Sequence, residues 1–312
     1  MKAAIFKLKF KTGIHIGEGT LDTCASTVMS DTLFSAMCIE ALKLGKLDCF
    51  FNYVKSDRLF ISNAFPFDEN GLYLPKPIKR IEGKKEQDPA DRKKYKKLQW
   101  IPISNFREYL LGKLEINNFY NRNFGELNLI THAKVARDQK DTEPYHVATF
   151  VFKDRCGLYV LVGYEDEEGL SLTRELISSL GISGIGGKKS SGLGKFSVFE
   201  QKLTEADFPM LDSLNFRSKK NHCSNLMLLN VALPKDEELE NSLTNASYLI
   251  VKRSGFITAE DNRSELKKQT LFAFSAGSCF EQPFYGDIYD VSNGYGHEVY
   301  RYLKPFFMEL KL

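Results

Sequence analysis

Residues Gly181 to Lys195, GISGIGGKKSSGLGK, place six glycines, three lysines and three serines in fifteen positions. Glycine lets backbone N–H groups come close to a partner and accepts positive φ, while lysines supply charge that a phosphate neutralises. The chemistry on offer is phosphate binding: backbone donors around Gly184, Gly186, Gly187 and Gly194, cations from Lys188, Lys189 and Lys195, and hydroxyls from Ser190 and Ser191. A plain surface turn, also rich in Gly and Ser, is the alternative reading. Spacing excludes two nucleotide loops. A Walker loop needs a glycine five residues before Gly-Lys-Ser/Thr, and Gly187-Lys188-Lys189 has neither that glycine nor the hydroxyl. The dinucleotide fingerprint would need a glycine where Lys189 stands.

Ser30 and Asp31 open a segment of helical spacing through Leu33, Phe34, Met37, Ala41 and Leu44. Ser30 reads as its N-cap, and a helix N-terminus also attracts phosphate, so Ser30 and Ser35 are open to either role while Asp31 fixes the loop. No paired Asp/Glu set with metal-ligand spacing stands out. The six cysteines lie too far apart for a Cys-x-x-Cys knuckle and are expected as reduced, packed thiols.

The elements that must hold these groups follow from periodicity. Ala4 to Phe10 alternates as an opening strand, and short strands are expected at Leu59–Ser62 and Gly71–Pro75. Trp100–Arg107 and Leu110–Phe119 carry short helical patterns. Ile130–Arg137 and Tyr145–Phe152 alternate around a polar tip and predict a hairpin or arm; Cys156–Gly163 is the next strand. Thr173–Leu180 has helical spacing that Gly181 can terminate, and Phe196–Phe199 alternates, so the glycine loop leaves a helix and enters a strand. Strand, helix, strands, helix, strand is the order of a ferredoxin-like domain. After the polar stretch Thr204–Ser224, a shorter version is expected: a strand from Asn225, an acidic helix over Asp236–Leu243, strands at Tyr248–Arg253 and Thr270–Phe274, a helix near Val299–Leu303 and a last strand over Phe306–Leu310. The fold class expected is α+β, with two ferredoxin-like (RRM-like) domains over 1–203 and 220–312, an insertion at about 52–129 and a thumb-like arm at about 130–150.

A chain of 312 residues can bury a core of that size. Its net charge of +3 does not by itself announce a nucleic-acid binder, although ten basic against four acidic residues between Lys76 and Lys97 form a local basic run, read as a weak RNA candidate or a solvated face. No run approaches the roughly 18 apolar residues of a membrane span, and the N-terminus reads as a strand instead of a signal peptide, so a cytoplasmic location without membrane contact is expected.

His15-Ile-Gly, Ser30-Asp-Thr-Leu-Phe-Ser-Ala, the glycine loop, Val251-Lys-Arg-Ser-Gly-Phe, Ala276-Gly-Ser-Cys-Phe and the aromatic C-terminal strand, in this order, resemble the RAMP superfamily of CRISPR proteins. Within it they look like the family of fourth subunits of type III-A (Csm) interference complexes. The resemblance covers nearly the whole chain and is weakest over Asn52–Leu129. It implies a non-catalytic subunit that caps the base of the effector, holds the 5′ handle of the CRISPR RNA (crRNA), docks on the large Palm-domain subunit and a backbone subunit, and meets target RNA through the complex. Target RNA cleavage would belong to the backbone subunit, and cyclic oligoadenylate synthesis and DNA cleavage to the large one. No cofactor is implied. Lys252, Arg253 and Gly255 resemble the family's second-domain RNA contact, where Arg253 could fork onto a phosphate or stack on a base, or the basic pair could be solvated. The arm resembles a thumb that folds over the guide–target duplex, which assigns steric and cationic roles to His132, Lys134 and Arg137; an ordinary basic hairpin is the alternative. His15 resembles a histidine that assists 2′-OH attack in the superfamily's processing nucleases. RNA contact, structural hydrogen bonding and general-base catalysis are therefore all open for it, and a metal-independent repeat-RNA endoribonuclease is the rival to the binder.

Overall fold

The structure is a computed structural model, describing residues 1–79, 89–115, 122–134, 143–205, 208–215, 225–257, 266–294 and 296–311. The first two thirds run β1 (Lys2–Phe10), α1 (Ser30–Lys43), α2 (Leu47–Lys55), β2 (Leu59–Asp68), β3 (Gly71–Pro75), α3 (Pro89–Lys97), β4 (Trp100–Pro102), α4 (Phe106–Leu110), β5 (Gly125–Lys134), β6 (Glu143–Phe152), β7 (Gly157–Tyr164), α5 (Glu167–Ser183) and β8 (Phe196–Lys202). The rest comprises β9 (Leu214–Asn215), β10 (Leu226–Leu228), α6 (Asp236–Ser242), β11 (Ile250–Arg253), β12 (Leu271–Phe274), β13 (Cys279–Phe280), β14 (Ile288–Asp290), β15 (Tyr300–Tyr302) and β16 (Phe307–Glu309).

A six-stranded antiparallel sheet in the order β4-β3-β2-β7-β1-β8 organises the N-terminal part. Its central strands β1, β2 and β7 are buried on both faces along most of their length. Phe6, Leu8, Val160 and Val162 pack under α1, α2 and α5, while Ile5, Tyr159 and Leu161 face a second core shared with Met227, Phe306 and Met308 of the C-terminal part. Such two-sided burial explains why β7 reads as an unbroken apolar run. β2 pairs with β7 along its length, so it belongs to the sheet and the expected insertion does not begin at residue 52. A register shift between Ile61 and Ala64 turns Ser62 and Asn63 toward other partners, as β-bulges do. Ser62 Oγ accepts from Leu161 N–H at 2.9 Å, Asn63 N–H donates to Leu229 O at 2.9 Å, and Asn63 Oδ1 accepts from Ser30 N–H at 2.8 Å.

Three expectations are corrected. The N-cap position of α1 is Met29, without a side-chain cap; Ser30 is the first helical residue and Asn63 supplies the acceptor from across the fold. α5 runs through Gly181 to Ser183, because a glycine there lets the helix lie against β8: a Cβ on Gly181 would stand 2.6 Å from Phe196 O. The helix instead ends at Gly184, at φ 86°. Finally, the segment near Val299 is the strand β15, in which Tyr302 packs on Phe34 (centroids 5.4 Å apart) and Tyr300 on Phe51 (4.3 Å), a period of two that helical spacing misreads.

Among its described residues the C-terminal part has one α-helix, α6, a four-stranded sheet β13-β10-β16-β9 and the ribbons β11-β12 and β14-β15, and the expected second βαββαβ order is not seen among them. Trp100–Arg107, read as helical, begins as strand β4.

Candidate nucleic-acid interface

The glycine loop, the segment around His15 and the β5-β6 hairpin meet at one end of the sheet. Gly187 N–H donates to His15 O at 2.8 Å, Gly194 N–H to Gly13 O at 2.9 Å, and Lys195 N–H to Thr12 Oγ1 at 3.2 Å. From the other side Ile14 bridges Phe150 of β6, and His15 Nδ1–H donates to Ala148 O at 2.7 Å. A carbonyl only accepts, so this bond fixes the Nδ1–H tautomer of the neutral ring. His15 is 4% exposed, which places it beneath the loop as a structural hydrogen-bonding residue.

The glycines serve this close approach. A Cβ on Gly186 (φ 92°) would lie 2.5 Å from His15 O, and one on Gly187 would lie 2.7 Å from the His15 ring. Part of the loop's backbone is therefore committed internally. Beyond it the chain turns outward: Lys188 adopts the left-handed region (φ 56°, ψ 31°) and leads into a single 3-10 turn, Lys189–Ser191. Among the described residues, no acceptor faces the N–H groups of Gly186, Lys188, Lys189 or Ser190. Successive amides around a left-handed residue form an anion-binding concavity, and Lys189, Ser190 and Ser191 border it. Ser190, Ser191 and Lys195 are exposed; Gly184 and Gly194 are buried.

Lys188 Nζ stands 5.3 Å from the centroid of the Tyr145 ring, and Tyr145 stacks on its cross-strand partner His132 at 5.3 Å with 21° between planes. Loop and hairpin thus present one continuous row of cation and flat rings, which suits splayed bases beside a phosphate backbone. Tyr145 escaped sequence reasoning, because pairing the hairpin about the tip Asp138 to Pro144 would set it opposite Arg137, whereas the observed register sets it opposite His132. Lys134 ends β5, and Arg137 lies outside the described residues.

The other expected contacts are placed differently. Ser30 is fully buried, and its Oγ accepts from Val231 N–H at 3.3 Å. That placement leaves it no RNA-facing surface. Ser35 is half-buried on α1. Arg253 forks onto a carboxylate instead of presenting its fork outward: Nε and Nη2 donate to Asp31 at 2.9 and 2.8 Å, and Nη2 also to Thr32 Oγ1 at 3.0 Å. Lys252 is exposed, and Gly255 (φ 139°) faces open space. Among the described residues no group of three His, Cys, Asp or Glu side chains is placed to hold a metal ion, and no helix is long and apolar enough to cross a membrane.

The RAMP superfamily description matches residues 7–197, the stretch that holds most of the six-stranded sheet and the glycine loop. The CRISPR Csm4 C-terminal domain description matches residues 221–310. A Streptococcus thermophilus protein, "CRISPR system Cms protein Csm4", is 36% identical over 310 residues, covering 96% of each chain. The chain belongs to the Csm4 family of the RAMP superfamily. Its fold is that of Csm4 structures: the Csm3-Csm4 subcomplex of the type III-A CRISPR-Cas interference complex gives a TM-score of 0.65 at 20% identity over 100% of both chains. The Csm1-Csm4 cassette in complex with pppApA gives 0.64 at 18% identity, over 100% of this chain and 99% of that one.

Proposed function

We propose that this chain is a non-catalytic RNA-binding subunit of a type III-A CRISPR effector, acting in the cytoplasm. It anchors the 5′ handle of the crRNA, docks to the large Palm-domain subunit and a backbone subunit, and meets target RNA through the assembled complex. The observation that carries the RNA role is the outward turn at Lys188–Ser191, where among the described residues the amides of Lys188, Lys189 and Ser190 make no hydrogen bond, beside the Lys188, Tyr145 and His132 row. Family membership supports the assembly role, as does the solution of Csm4 chains of this fold together with Csm3 and with Csm1. In this reading the N-terminal part is a ferredoxin-like domain carrying a thumb, with strand order β2-β7-β1-β8 at its centre.

RNA contacts are assigned to Gly186, Gly187, Lys188, Lys189, Ser190, Ser191 and Lys195, to His132, Lys134 and Arg137 on the thumb, and to Lys252. His15 positions the loop from below. The test is co-isolation: the purified chain should retain a short RNA with a fixed 5′ sequence and leave repeat RNA uncut, with or without Mg²⁺. Multiple-turnover cleavage that disappears in His15→Ala would replace this reading with the endoribonuclease.

A further inference from the structure

Away from the glycine loop, three basic side chains gather over the N-terminus of α1 around a single carboxylate. Asp31 holds Arg253 in the fork already described and receives Arg301 Nη1 at 2.6 Å. Lys268 enters ahead of β12, its backbone N–H donating to Gly255 O at 2.9 Å, and its ammonium is pushed below the usual lysine range by burial and then by the Arg301 charge. Asp31 is the one carboxylate hydrogen-bonded to this group among the described residues, so three basic groups face one acid.

The arrangement is incomplete at one atom. Arg301 is 5% exposed, and among the described residues its Nε has no hydrogen-bond partner. Nη2, which shares an edge of the guanidinium with Nε, reaches only Ser254 O at 3.3 Å. That edge is the one an arginine uses for two-point recognition of an oxyanion, and a buried charged donor left unmade is costly. Ser254 is exposed and Gly255 opens on empty space, so the edge lies just below the surface. α1 begins beside the same place, with its Ser30 N–H already taken by Asn63 Oδ1 at 2.8 Å and Asp31 in its first turn.

We infer that the Nε and Nη2 edge of Arg301, with Lys268 beside it, forms an oxyanion site for a phosphate group. The site goes beyond the glycine-loop reading and does not depend on it. Its phosphate could be a free phosphate or an ester within an RNA strand, and the two sources share this recognition chemistry.

The experiment measures the melting temperature of the full chain against inorganic phosphate, at ionic strength held constant with chloride, because a ligand that binds only the folded state raises it in a saturable way. Wild type should show such a rise, and Lys188→Ala/Lys189→Ala should keep it. Lys268→Ala should need at least about tenfold more phosphate for the same rise, the loss of one charge-assisted contact. Arg301→Met should abolish it; if that variant does not fold, Lys268→Ala carries the test, since Lys268 makes no bond to Asp31. Handle-RNA affinity then separates the sources: a parallel loss in Lys268→Ala assigns the site to an RNA phosphate, and wild-type affinity assigns it to a free one. A wild-type response no larger than that to chloride, a Lys268→Ala response equal to wild type, or a response lost only in the loop variant would overturn the site.

Discussion

Asp31 sits where two arginines from the C-terminal part meet the first helix of the N-terminal part, its side chain 2% exposed. Removing one partner of a buried ion pair leaves the other charges uncompensated, which costs about 3–5 kcal/mol. Asp31→Ala should therefore lower stability by that order in a denaturant titration; a loss below about 1 kcal/mol would show that the arginines re-solvate without it. Sequence reading expected Asp31 to fix the loop before α1 and aimed Arg253 at RNA; the structure pairs the two, and an acid and a base 222 positions apart carry no local sign of pairing. Gly187 offers a second test. Its Cβ would strike the His15 ring, so Gly187→Ala should weaken handle binding and stability in wild type and do so less in a His15→Ala background. The expected coupling is about 0.5–3 kcal/mol, the range for side chains in contact, and strictly additive effects would remove His15 from beneath the loop.

At the scale of elements, α5 shows which features are local. Asp166 caps it by accepting from Gly169 N–H at 2.8 Å, and Glu167 and Glu168 follow in the first turn. The Gly169 N–H holds the Asp166 carboxyl below its ordinary 3.8, with Arg58 and Tyr53 adding to it. A depressed folded pKa means that this stabilisation is present above the unfolded value and is lost as pH falls through the lower folded one. Asp166→Ala should cost about 1 kcal/mol at pH 7 and much less near pH 2; an equal cost at both would deny the carboxylate its role. Period two revealed β1, β8 and the hairpin, an unbroken apolar run revealed β7, and the acidic first turn revealed α6. α2 and the strand identity of β15 were missed, since Tyr300 and Tyr302 declare their face only against Phe51 and Phe34. The β2 bulge, which aims Asn63 at α1, has no signature in the residues themselves.

Across the whole molecule, the two parts share their interior. Tyr302 lies in the core beneath α1, and Phe306 and Met308 pack in the core that contains Ile5 and Leu161. Asn230 donates to Lys304 O at 2.7 Å and accepts from Phe306 N–H at 3.0 Å, while Lys304 Nζ donates to Lys55 O at 2.8 Å at the end of α2. Domains with separate cores unfold separately; these should melt in one cooperative transition, and a fragment spanning 1–203 should lack fixed tertiary packing by near-ultraviolet circular dichroism. Two resolved transitions would restore independent domains.

The central claim, that the outward turn of the glycine loop holds RNA phosphates, is tested most directly by the salt dependence of handle-RNA affinity in wild type and in Lys188→Ala/Lys189→Ala. Each single-strand phosphate contact contributes about 0.7 to the slope of log affinity against log salt. The account predicts weaker binding in the variant and a slope shallower by about 0.7 to 1.4, with a melting temperature close to wild type. An unchanged slope in a folded variant would contradict it.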